Sequence, residues 1–260
     1  MTTVSRWGRT MIAIGALALL APHAHADCRA KSPAHSVALM ELYTSEGCDS
    51  CPPADRWLSA LNSRGDSVVA IGLHVDYWDR LGWKDRFASA AFTERQYEQM
   101  RRQHSSFVYT PQILLQGRDY SQWRTGADPA TAIAAINKRP SRAAIELAAQ
   151  TQGEEASVDI DVSVPDSRDR AWAKVAVALV QDRLVSEVKA GENAGKRLAH
   201  DRVVRQWRAG VPLRSDGELQ ERFSLTLPTE TGPLTIVAFV EDSASGEVLQ
   251  AFALPLCGRP

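Results

Sequence analysis

Two cysteines three positions apart, Cys48 and Cys51, are the residues of this 260-residue chain whose types and spacing are best suited to chemistry. Such a pair can close a small disulfide ring, in which one thiol attacks a second disulfide and the other resolves the product. The same pair can hold a soft metal ion such as Cu(I), or it can serve only as a structural bridge. The spacing therefore leaves three chemistries open: disulfide exchange, metal carriage and stapling.

The residues around the pair set its expected reactivity. A helix start favours the thiolate form, so we take Cys48 as the exposed nucleophile and Cys51 as the resolving thiol beneath it. Asp49, between the two, would raise the pKa of a neighbouring thiol. Pro52 and Pro53 place the predicted start of the regular helix near Pro53, which weakens the help from the helix dipole. A strongly oxidising pair is therefore less favoured.

The N-terminal residues predict an oxidising compartment. Residues 1–26 have the pattern of a secretory signal peptide: basic Arg6 and Arg9, an apolar run over 11–21, and an Ala-His-Ala end. We expect this segment to be removed and the protein to be periplasmic or secreted, where disulfides persist.

Charge and hydropathy argue against two features, nucleic-acid binding and a membrane-spanning segment. The formal net charge is −1, and removal of the two signal-peptide arginines makes it about −3. Without a basic excess there is no electrostatic drive toward phosphate, so nucleic acid is not an expected partner. No later stretch is long and apolar enough to cross a bilayer, so we expect no transmembrane segment after signal removal.

Four cysteines allow three disulfide pairings. Cys28 lies near the expected mature N-terminus and Cys257 near the C-terminus, whereas Cys48 and Cys51 are neighbours. The simplest pairing joins Cys28 to Cys257 as a structural disulfide. Such a bridge closes nearly the whole chain and could stabilise it by roughly 5 kcal/mol on the loop-entropy model.

The first half of the chain alternates strand and helix patterns. Short apolar runs predict strands, helical spacing and capping residues predict helices, and Thr93 with Gln96 resembles a capping box. The predicted order is a strand at 36–43, a short helix after the cysteines, a strand at 68–75, a loop at 76–86, a helix from 93 to 104, a strand at 112–117 and a helix at 130–137. This order predicts an α/β domain over residues 27–140.

From about residue 141 the pattern of apolar and polar residues changes. Ser157–Val164 alternates strictly between apolar and polar residues, which is the period of a half-buried strand. Similar runs recur at 174–180, 223–227, 234–240 and 248–256. We therefore predict a C-terminal antiparallel β-sandwich-like domain over residues 141–260.

With strand, Cys-x-x-Cys and helix in this order, residues 36–62 resemble the thioredoxin superfamily. The resemblance implies an α/β thioredoxin-like fold, with a cis-proline facing the cysteines at Thr110-Pro111. It also implies a buried carboxylate beneath the resolving cysteine, for which Glu41 is the nearest equivalent, although one residue farther from the motif than in thioredoxins. The alternative for Glu41 is an edge position or a salt bridge to a nearby arginine. The expected catalytic residues are thus Cys48, Cys51, Pro111 and Glu41, with Thr110 beside the substrate.

A resemblance that covers nearly the whole mature chain is to the secreted bacterial thioredoxin-like family catalogued as domain of unknown function 1223. The segments that carry it are Glu41–Cys48, Cys51–Asp55, His74–Asp79, Leu81–Lys84, Val108–Gln112 and Gly191–Gly195, followed by His200. It implies a thioredoxin-like fold with a β-rich extension and implies no substrate.

Other side chains could line the same site. Trp78 could form an apolar lip for a substrate or pack between domains, since an indole combines large contact area with a polar handle. His74 and Asp76 close the second predicted strand, at the edge where open α/β sheets place their sites. Gly191–Gly195 reads as a turn with positive-φ positions, and we assign His200 a structural role.

Three functions follow from these residues. The first is a thiol-disulfide oxidoreductase that acts on a protein thiol or disulfide, with a membrane redox protein as a second candidate partner. The second is a non-enzymatic, disulfide-stapled binding or scaffolding protein. The third is a copper carrier that uses the Cys48 and Cys51 thiolates. We expect no cofactor and assign no metal ligand; haem is disfavoured because Pro52 stands where c-type attachment needs histidine.

Overall fold

The structure is a computed structural model that describes residues 26–257. The strands are β1 (Ala26–Lys31), β2 (Ala38–Thr44), β3 (Val68–His74), β4 (Gln112–Leu115), β5 (Arg118–Asp119), β6 (Ala144–Gln152), β7 (Glu155–Ser163), β8 (Ala173–Gln181), β9 (Leu184–Glu187), β10 (Arg197–His200), β11 (Val203–Pro212), β12 (Glu218–Thr226), β13 (Leu234–Asp242) and β14 (Val248–Pro255). The helices are α1 (Pro52–Ala60), α2 (Ala90–Arg102), α3 (Ala130–Asn137) and α4 (Ser167–Arg170). The predicted signal peptide, except for its last residue, lies outside the described residues.

The first half forms a sheet with helices on both faces. β2 pairs with β3 in parallel and with β4 antiparallel, and β4 turns back into β5. Because successive strand residues point to opposite faces, Met40 and Leu42 pack with α1 and α3, whereas Leu39 and Tyr43 pack on the face that carries α2. The sheet is therefore buried on both sides, and the loops at its edge position the cysteines.

The second half is built from antiparallel strands. One sheet has the order β1-β6-β7-β12, and its inward residues share an apolar core with one face of β8, β13 and β14. β1 pairs with β6 from Cys28 opposite Ala149. The chain thus crosses the predicted boundary at residue 140, because residues 26–31 belong to this second core.

The two halves share an eight-stranded sheet, in the order β14-β13-β8-β11-β3-β2-β4-β5. β11 joins them, because it pairs antiparallel with β8 and meets β3 in parallel at Val203 and Gly72. Alternate residues of β8 and β13, such as Ala178 and Phe239, pack on the α2 face of the first half. A continuous apolar core therefore fixes the second half against the first.

Several predicted elements are confirmed, and one helix start is wrong. α3 spans the predicted residues, and strands occupy each of the segments predicted as strands. The expected capping box does not form: the cap of α2 is Ser89, whose hydroxyl accepts a hydrogen bond from the Ala91 amide. Thr93 instead donates to Asp76, and Gln96 donates to the Tyr109 carbonyl. Within residues 26–257, no helix is long and apolar enough to span a bilayer.

Candidate functional site

A disulfide joins Cys48 and Cys51 in the turn that links β2 to α1. The turn is held by hydrogen bonds from the Cys48 amide to the Ser45 carbonyl and from the Cys51 amide to the Cys48 carbonyl, each 3.2 Å. Cys51 has helical dihedral angles, and α1 begins at the next residue, Pro52. The predicted helix start near Pro53 is therefore confirmed to within one residue. The second disulfide joins Cys28 to Cys257, so the simplest of the three pairings is confirmed.

Both sulfurs of the pair are inaccessible, which corrects the expectation of an exposed Cys48. Cys48 and Cys51 each have 0% of their surface exposed. The turn between β9 and β10 is bonded to the cysteine turn: the Asn193 side-chain amide donates to the carbonyls of Glu46 (2.8 Å) and Cys48 (2.9 Å). The Asp49 amide donates to the Glu192 carboxylate at 3.1 Å. The predicted turn at 191–195, with positive φ at both glycines, is therefore anchored to the backbone that carries the disulfide.

A shallow groove of about 320 Å³ lies beside the covered disulfide. Its walls are Ser50, Pro53, Thr110, Pro111, Trp123 and Arg124. The Thr110-Pro111 peptide bond is cis, as the resemblance implied. Trp78 supports the groove from behind, because its indole N–H donates to the Thr110 hydroxyl at 2.8 Å and its Cβ packs against Gly47. The disulfide turn and the cis-proline loop therefore meet at one surface.

Two histidines and three carboxylates are buried behind the disulfide turn. Nδ1 of His74 lies 2.6 Å from Oδ2 of Asp85, and Nε2 of His200 lies 3.3 Å from Oε1 of Glu46 without the alignment of a hydrogen bond. The two imidazole rings are in edge contact, with centroids 5.1 Å apart. Trp83 donates to the Glu46 carboxylate at 2.8 Å. His200, assigned only a structural role from sequence, thus lies in a polar cluster next to the cysteines.

Neighbouring charges fix the protonation of this cluster. Burial alone would lower the pKa of His74, but the Asp85 carboxylate outweighs it and raises the pKa of His74 above its ordinary value. Burial would raise the pKa of Asp85, and the charge and hydrogen bond of His74 instead hold it below its ordinary value. Contacts from His200, Ser186 and Trp83 similarly outweigh burial and lower the pKa of Glu46. These carboxylates are charged at neutral pH.

Asp55 behaves differently from the other carboxylates of the cluster. It lies one helical turn after Cys51, and its backbone amide donates to the Cys51 carbonyl at 3.1 Å. Residues four apart on a helix share a face, with Cβ atoms about 5–6 Å apart. Burial raises the pKa of Asp55, and the nearby His200 and His74 lower it only in part. A carboxyl group that can hold a proton therefore lies on the Cys51 side of α1.

Glu41 does not lie on that side. Its carboxylate is buried on the α2 face of the sheet, where it accepts two hydrogen bonds from Arg95, at 2.6 and 3.0 Å, and one from the Tyr43 hydroxyl. Arg95 also donates to Glu241. The expected carboxylate beneath Cys51 is thus part of an ion-pair network that joins the two halves of the chain. The spacing mismatch of one residue noted in the sequence was the signal for this difference.

Sequence reasoning missed Asp55, Asp85 and Asn193. Asp55 had a recognisable signal, because a carboxylate four residues after Cys51 must share its helix face. The other two are brought to the turn by tertiary contacts that no local pattern encodes. Among the described residues, no group of three or more histidines, cysteines, aspartates or glutamates is placed to hold a metal ion.

Comparison with known proteins places the chain in a family. A family described as protein of unknown function, DUF1223, matches residues 39–241. No curated protein matches. The X-ray structure of AGR_C_4864 from Agrobacterium tumefaciens is 29% identical, with a TM-score of 0.56, over 84% of this chain and 94% of that chain.

HBP35 of Porphyromonas gingivalis has a similar fold, with a TM-score of 0.59 at 12% identity, over 85% of this chain and 76% of that one. At that identity the likeness concerns the fold alone. The family match shows membership of a family, because it spans most of the sequence and includes the cysteine turn, the cis-proline and the turn at 191–195. The chain belongs to the DUF1223 family of proteins of unknown function.

Proposed function

We propose that this protein is a periplasmic or secreted thiol-disulfide oxidoreductase that exchanges disulfides with protein thiols through Cys48 and Cys51. The observation that carries the proposal is the meeting of the Cys48–Cys51 disulfide and the cis Thr110-Pro111 bond at one groove. We further propose that the α/β half is thioredoxin-like and that the antiparallel half is a β-sandwich-like extension. The signal-peptide pattern and the Cys28–Cys257 bridge support the oxidising compartment.

Oxidation of a substrate would proceed through a mixed disulfide. A substrate thiolate attacks Sγ of Cys48, the Cys48–Cys51 bond breaks, and its electron pair leaves on Sγ of Cys51. The Cys51 thiolate takes up a proton. A second substrate thiol loses its proton and attacks the substrate sulfur of the mixed disulfide, which releases Cys48 as a thiolate. The substrate loses two electrons, and the Cys48 and Cys51 pair gains them.

Asp55 is the proposed proton partner of Cys51. It is buried, it shares the helix face of Cys51, and it is the one carboxylate of the cluster whose pKa is raised. A protonated Asp55 can supply the proton that the Cys51 thiolate takes, and the carboxylate can remove it in the reverse direction. This role replaces the one that the resemblance implied for Glu41.

A second function is favoured by one observation, the complete burial of both sulfurs. A substrate thiol can reach Cys48 only if neighbouring segments move aside, and we propose that the turn at 191–195 is one of them. If that turn stays closed, the bridge is a staple and the protein is a binding or scaffolding protein.

The reduction potential of the Cys48–Cys51 disulfide separates the two functions. The protein would be equilibrated in thiol-disulfide buffers, alkylated, and read by intact and peptide mass. A potential between about −120 and −270 mV is expected of an exchange protein, and a value below about −300 mV would assign a staple. In cells, Cys51→Ala should trap a partner on Cys48, whereas Cys48→Ala is the matched control that should trap none there.

A further inference from the structure

The groove beside the disulfide carries one fixed positive charge. Arg124 lies in the 3₁₀ turn Ser121–Thr125, and its guanidinium carbon sits 5.1 Å from the ring centroid of Tyr109 and 5.8 Å from that of Trp123. Contact with aromatic faces positions a cation without neutralising it. Arg124 therefore presents a full charge at the mouth of the groove.

No carboxylate among residues 26–257 lies within ion-pair distance of Arg124. The carboxylate beside Tyr109, Asp119, already accepts hydrogen bonds from the Tyr109 hydroxyl at 2.6 Å and from the Gln112 side chain at 3.1 Å. Other arginines of the described chain, such as Arg95 and Arg142, are paired with carboxylates. An exposed arginine that is held over two rings and has no acidic partner can take one from a bound molecule.

The other side of the disulfide turn carries two exposed carboxylates and one lysine, Lys196, whose ammonium group donates to the Asn193 side chain at 2.8 Å, so that side stays net negative. Asp49 and Glu192 are both exposed there, and they are held together by the bond from the Asp49 amide to the Glu192 carboxylate. An acidic substrate side chain would be repelled from these two carboxylates and attracted to Arg124. The two ends of the site therefore carry opposite net charges, and this difference would fix the direction in which a charged substrate segment lies.

We propose that Arg124 selects extended, cysteine-bearing protein segments that carry an acidic side chain next to the cysteine. The cysteine lies toward Ser50 and the acidic group lies over Trp123, against the guanidinium. This inference rests on the proposed function, since it names the substrate class of the same site. An ion pair at an exposed groove would favour such a segment by about three- to fivefold in the rate of exchange.

The experiment uses three thiol peptides that are identical except for one residue beside the cysteine: glutamate, glutamine or lysine. Each peptide reduces the disulfide of the full-length protein at low salt, and the rate is read by acid quench, alkylation and mass. The expected order of rates is glutamate, glutamine, lysine, with the spread shrinking as salt is added. Arg124→Gln should level the three rates, and Arg124→Glu should reverse their order.

Two controls make the result specific. Arg139→Gln removes an equal charge from an exposed position away from the groove and should keep the wild-type order. Dithiothreitol also attacks as a thiolate but carries no second charged group, so its rate in each protein is the reference to which the peptide rates are normalised. Equal normalised rates for the three peptides on the wild type, or the same levelling in Arg139→Gln, would each overturn the role of Arg124. If no peptide exchanges at all, the proposed function fails and this inference falls with it.

Discussion

The side-chain nitrogen of Asn193 lies 2.9 Å from the carbonyl oxygen of Cys48, although the two residues are 145 positions apart. The same amide group also reaches the Glu46 carbonyl, and Asn193 has none of its surface exposed. The antiparallel half of the chain therefore helps to fix the conformation of the cysteine turn of the α/β half.

Loosening this contact should speed reduction of the disulfide. Asn193→Ala leaves the buried Glu46 carbonyl without a donor and leaves the Cys48 carbonyl with the Cys51 amide alone, which costs about 1–3 kcal/mol, so the closed state loses stability relative to the open one. We expect dithiothreitol to reduce the Cys48–Cys51 disulfide about tenfold faster than in the wild type, as measured by quenched alkylation. Ala194→Ser, at an exposed neighbour, should leave the rate unchanged. A normal rate in a destabilised Asn193→Ala protein would show that the turn does not control access.

Replacing Asp55 should change both stability and the pH dependence of exchange. Because the folded-state pKa of Asp55 is raised, wild-type stability falls relative to Asp55→Asn as pH rises from near 3.8 through the folded-state pKa. Urea unfolding should therefore show Asp55→Asn to be the more stable protein at pH 7 but not at pH 3.

The same variant tests the proton role. If Asp55 exchanges a proton with Cys51, the pH profile of the exchange rate should lose one titration step in Asp55→Asn. Asp49→Asn, which removes an exposed carboxylate from between the cysteines, should keep that step. If the pH profile of Asp55→Asn were unaltered while its stability rose as expected, Asp55 would lower the stability of the fold but would not exchange a proton with Cys51.

The His74 and Asp85 pair should stabilise the fold only within a pH window. The raised pKa of His74 gives stability that is present below its ordinary value of 6.5 and lost as pH rises through the folded-state pKa. The lowered pKa of Asp85 gives stability that is present above 3.8 and lost as pH falls through its folded-state value.

The difference in unfolding free energy between the wild type and His74→Gln should therefore be largest between these limits and shrink toward acid and toward alkali. Urea titrations from pH 3 to 10 would measure it. His35→Gln, an exposed histidine, provides the control and should show a small, flat difference. A flat difference for His74→Gln as well would contradict a charged pair.

Arg95 should be the most sensitive charged residue for stability. Its guanidinium is 4% exposed and bonds Glu41 and Glu241, so Arg95→Met leaves the buried Glu41 without a cationic partner and leaves Glu241 with Arg102 alone. We expect a loss of about 3–5 kcal/mol in unfolding free energy, largely restored when both glutamates are also changed to glutamine. Arg101→Met, on the same helix but in an exposed pair with Glu94, should cost less than about 1 kcal/mol.

Much of the local structure could be predicted because its causes are local. The apolar run at β2, the alternation at β7 and the helical spacing at α3 each reflect burial on one face or both. The start of α2 was misplaced because Ser89 and Thr93 are equally good caps by type. Thr93 is engaged by Asp76, which lies outside the helix, and a local pattern does not include that contact.

By itself the sequence determined the residues proposed to exchange disulfides, the simplest pairing of four cysteines, and a proline beside Thr110 that could be cis. Those features depend on residue type and on short spacing. Only the tertiary structure decided that both sulfurs are buried, that Asn193 bonds the cysteine turn, and that Glu41 belongs to Arg95 rather than to Cys51. The reason is physical: burial and ion pairing depend on which distant segments fold against a turn, and these contacts join residues far apart in the sequence.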